Sequence, residues 1–525
     1  MYRKIQLLIL LFLPYITFAQ VDWINIAEKR KNLKDSVITE VIQSAIDEAS
    51  ENGGGTVYFP AGDYLTGAIR LKSNITLHLD AGAMLRFSDD FNDYLPFVEM
   101  RWEGTVMKNF SPLIYAYEVE NIAIIGRGTI DGQGRKWWLE LYRIETAEEK
   151  PPRTKFQKMW VEQNKGLKTS DYYQRTMSWE FFRPPLFQAY RSNNILIEGV
   201  TIQNSPFWTV NPAFCNNIRI TGVTINNPES PNTDGINPTS CKNVHISDSH
   251  ISVGDDCITI KSGRDADGRK WATPTENVTI TNCTMLSGHG GVVIGSEMSG
   301  GIKKITISNC VFDGTDRGIR LKTARGRGGV VEDIRVSNIV MNNIQKEAIM
   351  MNMFYDHNKT IEPVTERTPT FRNIHFSGIT GNNIKKAGWI AGIEEMPVEN
   401  ISFSDIDFQS EEGFYISVTK NVEFHDVSVT TKMGPSFEFL NSENIVLDNI
   451  ESENPLKNTP VIKIENIKNI VVRNTAMFMP FDLFLSVSGE KTKNVYLSGN
   501  ILPKANKISE MGKEISNNVI ITNKN

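Results

Sequence analysis

Asn193-Asn194-Ile195-Leu196-Ile197, followed after Glu198 by Gly199-Val200-Thr201-Ile202, is the phrase whose reading decides the fold. A polar pair opens an apolar-x-apolar alternation, a glycine turns the chain, and a second short β-branched run follows. The phrase recurs as Ser73-Asn74-Ile75-Thr76-Leu77 and Glu120-Asn121-Ile122-Ala123-Ile124, and returns at Asn217, Asn243 and Asn277. Weaker copies sit near Lys304 and Asp333, and later ones carry Asn373, Asn400, Asn421, Asn444, Asn469, Asn494 and Asn518. The central spacing of roughly 21 to 34 residues is that of a solenoid. Each copy holds short strands and no helical segment. The predicted fold is therefore all-β, a right-handed single-stranded parallel β-helix in which alternate apolar residues face inward. The repeated Asn is expected at one corner of every rung, where its side chain can bond neighbouring backbone. A β-propeller would need longer repeats, about 40 to 50 residues per blade.

Outward from the repeat, the N-terminal half adds a cap. Val37, Ile38, Val41, Ile42, Ala45, Ile46 and Ala49 follow a helical rhythm that ends at Asn52-Gly53-Gly54-Gly55, with Asp35 or Ser36 as the expected N-cap. Such a helix would close the open end of the coil. Strands are expected over Thr56–Phe59, Tyr64–Leu71 and Ile75–Leu79. Two segments break the repeat: Leu139 to Phe182, rich in Trp, Tyr and Arg, and Met351 to Thr370. Insertions in solenoids tend to emerge on the binding face. The domain reading is one β-helix over 20–525, with a cap at about 35–55, insertions at about 139–182 and 351–370, and catalytic rungs at about 183–345.

Arg3 and Lys4 precede an apolar run from Ile5 to about Ile16, and Thr17-Phe18-Ala19 follows. This reads as a signal peptide over 1–19, too short to span a bilayer. It implies export to the periplasm or the extracellular medium. The 525 residues carry a net charge of −5, which argues against a general nucleic-acid binder. The cysteines, Cys215, Cys241, Cys257, Cys283 and Cys310, are odd in number. Cys215 and Cys241 open similar phrases, and Cys283 and Cys310 close similar ones. They are read as stacked buried thiols in preference to bridges, and their spacing does not suggest zinc.

Four polar clusters interrupt the repeat between Asn232 and Lys322: Asn232-Thr233-Asp234-Gly235, Gly254-Asp255-Asp256-Cys257, Gly288-His289-Gly290 and Arg320-Leu321-Lys322. Equivalent positions on successive rungs stack at roughly 4.8 Å, so these side chains are expected on one outer face. Asp255 and Asp256 are neighbours, and for both to serve one site the chain must bend at Gly254. Clustered carboxylates raise the pKa of at least one member. A protonated member can donate to a leaving oxygen while an ionised one activates water, the two-carboxylate logic of glycoside hydrolysis. His289, between glycines, is expected to hold or tune an acid. Arg320 and Lys322 share a strand face and call for an anion, which a uronate carboxylate would supply. Arg317, Arg325 and Arg327 would hold further uronate units.

At these residues the chain resembles the polygalacturonases, the pectin-hydrolysing family 28 glycoside hydrolases. The four clusters stand in the family's order and spacing. The likeness runs from about Thr39, through Gly53-Gly54-Gly55-Thr56-Val57 and Gly128-Thr129-Ile130-Asp131-Gly132, to about Asn343. The resemblance implies cleavage of α-1,4-galacturonosyl linkages with inversion and without metal or cofactor. Asp255 would be the general acid, Asp234 and Asp256 would activate water, and His289 would assist. Arg320 and Lys322 would bind the galacturonate carboxylate. Tyr355, Arg183 and Asn232 are further expected substrate contacts. The expected partner is an acidic polysaccharide, with no nucleic acid and no membrane span after signal removal, and the chain is expected to act as a monomer. The insertion at 139–182 is expected to wall off the groove and favour exo cleavage. Rhamnogalacturonan or xylogalacturonan hydrolysis is the alternative within the family. A calcium-using pectate lyase and a non-catalytic glycan-binding solenoid are the readings from other classes.

Overall fold

The computed structural model describes residues 23–30, 36–149, 151–167, 182–227, 230–355, 360–515 and 519–523. The segment read as a signal peptide and the repeat copy at Asn518 lie outside them. The repeat folds as expected. Strands of equivalent phrase stack in parallel, rung on rung, into a parallel β-helix: Asn193–Glu198 pairs with Asn216–Thr221, that strand with Lys242–Ser247, and that one with Thr275–Thr281. Ile195, Ile218, Val244, Val278, Ile305 and Ile334 fall in register and all face inward, buried. Full burial of each such side chain contributes about 1.5–3 kcal/mol. One connected apolar core runs from Ile24 to Ile515.

The repeated Asn takes the corner. Asn194, Asn217, Asn243 and Asn277 have φ between 55° and 58°, the left-handed conformation that Asn tolerates best after Gly. Each Nδ2 donates to the Oδ1 of the Asn one rung before, at 2.9, 3.1, 3.2 and 3.0 Å. Lys304 and Asp333 hold the same conformation in the weaker copies, and the ladder resumes from Asn421 to Asn494.

Among the described residues there are five α-helices: α1 (Ile26–Arg30), α2 (Thr39–Glu51), α3 (Arg135–Glu145), α4 (Lys155–Gln163) and α5 (Asp265–Trp271). None is long and apolar enough to cross a membrane. Helix α2 buries Ile42, Ala45, Ile46 and Ala49 against the first rung, as a cap should. Its start differs from expectation. The Ile38 amide bonds Leu65 O at 2.8 Å, which holds Ser36 and Val37 outside the helix, so Ser36 does not serve as N-cap; Asp35 lies outside the described residues. The Thr39 hydroxyl instead accepts from the Gly67 amide at 2.6 Å. The strand expected over Tyr64–Leu71 is two, Gly62–Thr66 and Ile69–Leu71, because the rung turns a corner at Gly67. A Cβ there would lie 2.8 Å from Asp93 Cβ. All five cysteines are buried and unbridged.

The stack that carries the polar clusters is Asp256–Ile260, Gly290–Gly295, Ile319–Lys322 and Glu347–Asn352. It is preceded by the bridges Val210↔Ile236 and Ile236↔Ile258.

The corner ladder has a measurable energy. Asn243→Ala loses the inter-rung bonds and puts Ala in a left-handed conformation, so it should lower unfolding free energy by about 2 kcal/mol. Asn243→Gly should recover the conformational part, and denaturant midpoints of the three proteins check both.

Candidate active site

Register brings the carboxylates together. Ile236 pairs with Ile258, so Asp234 stands beside Asp256 on adjacent rungs, and Gly235 N donates to Asp256 O at 3.0 Å. Asp255 lies one residue before the strand, on the bend. Gly254 is required there for close approach: a Cβ would meet Ser230 O at 2.0 Å. The three side chains offer oxygens all within 4.8 Å of one another. Asp234 and Asp256 are buried and Asp255 is partly exposed. They sit in a cleft of about 1200 Å³.

The His289 loop clamps Asp255 twice. Its amide donates to Asp255 O at 2.8 Å, and its Nδ1 lies 3.2 Å from Asp255 Oδ1. Gly288, at φ 149°, passes so close that a Cβ would lie 2.5 Å from Asp255 O. Arg320 and Lys322 face the cleft from two rungs on. Lys322 Nζ is 2.8 Å from Asp256 Oδ2 and Arg320 Nη1 is 3.6 Å from Oδ1. In the free site, then, the anion between the two cations is Asp256. Tyr355 completes this corner, with its ring 5.7 Å from the Arg320 guanidinium and 5.3 Å from Lys322 Nζ.

Asn232 lines the cleft, and its Nδ2 is 3.4 Å from Asp255 Oδ2. Arg183 does not reach the cleft. It is buried beneath it, bonding Asn232 Oδ1 and Pro231 O at 2.6 Å each and Pro206 O at 3.0 Å. Arg183, expected as a substrate contact, instead orients Asn232, which lines the cleft. Arg325 and Arg327 line the cleft, but each already faces a protein carboxylate, Glu395 and Asp265, at 2.5 Å. Arg317 is likewise 2.7 Å from Glu347. They are not the free uronate holders expected of them.

The described part of the insertion at 139–182 stands away from the cleft. Its residues 168–181 lie outside the described ones, and none of its described residues lines the cleft. Trp160 and Phe182 stack at 4.5 Å, and Phe182 meets Trp102 at 4.8 Å. Asn164 bonds Lys108 N and O, both at 2.9 Å. The insertion therefore braces the hairpin Val98–Trp102/Thr105–Asn109 from behind. It is the tip of that hairpin, Glu103, that reaches the cleft, where it pairs with Arg264 at 2.9 Å. Helix α5 and the loop after Lys322 join the same rim through Asp265–Arg327 and through Arg269, which donates to Gly326 O at 2.6 Å.

Among the cleft residues that escaped the sequence reading, Lys261 and Glu297 stand behind the triad. Lys261 ends the run Cys257-Ile258-Thr259-Ile260 and is 4% exposed. Its Nζ is 2.8 Å from Glu297 Oε2 and 3.9 Å from Asp234 Oδ2. A lysine closing the mostly apolar run Cys257-Ile258-Thr259-Ile260 was the available signal; Glu297 carried none.

The charges tune one another. Burial pushes the Asp234 carboxyl well up, and the adjacent Asp255 charge adds to it; Lys261 opposes both. Burial also acts to raise Asp255, but the His289 bond and the charges of Lys322, His289 and Lys261 prevail and bring it to about 2. The Asp255 hydrogen bond lifts the His289 imidazole above its ordinary value. Three cations, Lys261, Arg320 and Lys322, stand beside the three carboxylates, with Glu297 as a fourth carboxylate on Lys261.

Comparison with known proteins bears on this geometry. The model of the glycosyl hydrolases family 28 matches residues 181–413, the rungs that carry the cleft. A probable polygalacturonase of Vitis vinifera is 33% identical over 379 residues, 70% of each chain. The chain belongs to glycosyl hydrolases family 28. It is a glycoside hydrolase of polygalacturonase-like type. An exopolygalacturonase structure from Thermotoga maritima superposes with TM-score 0.66 at 34% identity, covering 77% of this chain and 91% of the other. An endo-polygalacturonase of Pectobacterium carotovorum is 30% identical over 351 residues, 66% of this chain and 78% of that one.

The His289–Asp255 contact sets a pH signature. The imidazole should titrate above the free-histidine range in an NMR titration, and Asp255→Asn should return it toward that range. Because the folded value is raised, the pairing stabilises the fold fully below the unfolded histidine pKa. That stabilisation is lost as pH rises through the raised value.

Proposed function

We propose that this hydrolase cleaves galacturonosyl linkages of pectin, with Asp255 as general acid and Asp234 and Asp256 activating water. The observation that carries the reading is the carboxylate triad flanked by Arg320, Lys322 and Tyr355. That corner fits a sugar carboxylate: a planar fork, a point charge and an aromatic face.

Proton placement follows from the charges. The triad holds one proton that belongs to the coupled set. In the free cleft it rests on Asp234, since His289 and Lys322 keep Asp255 ionised. A galacturonate carboxylate on Arg320 and Lys322 neutralises part of the charge that depresses Asp255, and so moves the proton toward the leaving oxygen. Asp234 and Asp256, freed of it, hold the attacking water.

Inversion is the outcome of water attack. The short spacing of the triad favours a second reading, in which one carboxylate attacks the anomeric carbon and configuration is retained, because inverting pairs usually stand about 6.5–9.5 Å apart. Proton NMR of the first-formed anomer separates the two.

Exo action is supported by the rim. The hairpin tip, α5 and the loop after Lys322 are tied by the pairs Glu103–Arg264 and Asp265–Arg327, with Arg269 bonded to the loop backbone. A rim fixed by charge pairs cannot part easily for a long chain.

Purified protein on de-esterified polygalacturonan, in chelator, should release saturated galacturonic acid or its dimer as first products. Mixed mid-length oligomers would refute exo action, unsaturated products would indicate a lyase, and release only from rhamnogalacturonan would move the specificity. Asp255→Asn should cut kcat by about 10²–10⁴-fold with little change in KM.

A further inference from the structure

We propose that Lys261, held by Glu297, is a positioning residue that sets the pH range in which the carboxylate triad works. The inference rests on the reading of Asp234 as a water-activating group.

Lys261 occupies a place where a cation is costly. It lies one residue beyond Ile260, inside the stack, and its ammonium is out of water. A buried charge persists only where partners surround it. It has three: Glu297 Oε2 at 2.8 Å, Asp234 Oδ2 at 3.9 Å and the face of Trp208 at 4.6 Å. Asp234 would not need this lysine for support alone. Asp234 Oδ2 already accepts from Asn237 Nδ2 at 2.9 Å and Thr259 Oγ1 at 3.2 Å. Glu297 has Arg264 Nη1 at 4.0 Å, and Arg327 packs against the neighbouring Ser296 hydroxyl at 3.5 Å.

The arrangement is a line of alternating charge: Asp234, Lys261, Glu297, Arg264. The groups that face Asp234 are Asp255 and Asp256 from the next rung, Lys322 from beyond, and Lys261. The two carboxylates favour its protonated form and the two lysines its ionised form. Lys322 faces the corner that would take the substrate anion, so on binding its influence is spent on the ligand. Lys261 is then the cation that remains for Asp234, and Glu297 determines how much of its charge Asp234 feels. Burial acts to lower the Lys261 pKa, but Glu297 and Asp234 prevail and keep it cationic through any working pH. It acts as a constant field and takes no part in proton transfer.

The sign of each change follows. Removing a cation beside the triad makes every proton harder to lose, so both limbs of the bell-shaped kcat/KM profile move to higher pH. Removing Glu297 leaves Lys261 and Arg264 less neutralised, so both limbs move lower.

The test is the pH profile of kcat/KM on polygalacturonan for the wild type, Lys261→Met, Glu297→Gln and the double variant, with thermal melting of each. The double variant leaves no lone charge buried, so it keeps the question answerable if Lys261→Met folds poorly. Lys261→Met and the double variant should shift both limbs upward by about one pH unit, and Glu297→Gln should shift them downward. Activity lost by Lys261→Met should return as pH is raised, with KM little changed. Limbs that stay in place while activity falls equally at every pH would overturn the inference, as would shifts of the same sign in Lys261→Met and Glu297→Gln. Asp234→Asn is the control on the underlying reading. If it retains activity, that reading and this inference both fail; if it is inactive while the limbs of the Lys261 and Glu297 variants stay in place, only the inference fails.

Discussion

Parallel register is the constraint on which everything else in this molecule rests. A rung has no partner but the rungs above and below it, so a side chain's neighbours are decided by which residues share a position in the coil. The inward stack of Ile195, Ile218, Val244 and Val278 makes the register energetically stiff, because a one-residue slip would turn the whole stack outward. The Asn corner makes it geometrically stiff, because each Nδ2 is bonded to the Asn of the rung before. With the register held, Asp234 must face Asp256, and Arg320 and Lys322 must stand over the same cleft.

That rigidity lets the site hold charges that would otherwise repel. Three carboxylates whose oxygens crowd within 4.8 Å are tolerable because Lys322, Arg320 and Lys261 come from strands that cannot move away. The glycines around them serve approach more than flexibility. Gly254 lies against Ser230 O and Gly288 against Asp255 O, where a single methyl would hold the chains apart. The His289 clamp and the buried Arg183 beneath Asn232 then fix the two groups on the partly exposed side of the triad. Substrate and proton thus meet a field set before binding, which is the condition for efficient electrostatic catalysis.

Several expectations failed for reasons of tertiary context. The N-cap of α2 was sought in polar side chains, but the backbone of the strand Gly62–Thr66 takes the chain at Ile38. Arg183 sits in a Pro-rich loop that reads as exposed, yet Phe207 and the carbonyls of Pro206 and Pro231 enclose it. The basic run Arg325 to Arg327 looked available, but its partners, Glu395 and Asp265, lie some 60 to 70 residues away. The insertion was expected on the cleft because loops of that length often line one. The apolar face of its described part, Phe156, Trp160 and Phe182, instead finds the aromatic residues behind the hairpin. In each case the sequence shows what a side chain is and conceals what it meets.

From the sequence alone come the coil, the corner asparagines, the strand face shared by Arg320 and Lys322, and the four polar clusters that name the chemistry. These are local or periodic properties, and a solenoid turns period directly into proximity. Only the tertiary structure decided that Asp256 occupies the two cations in the free site, that Glu103 from the hairpin closes on Arg264, and that Lys261 and Glu297 stand behind Asp234. Those contacts join residues 27 to 161 positions apart in loops and strand ends of no fixed period. No rhythm in the chain records them, and their energy depends on burial that only the folded rungs create.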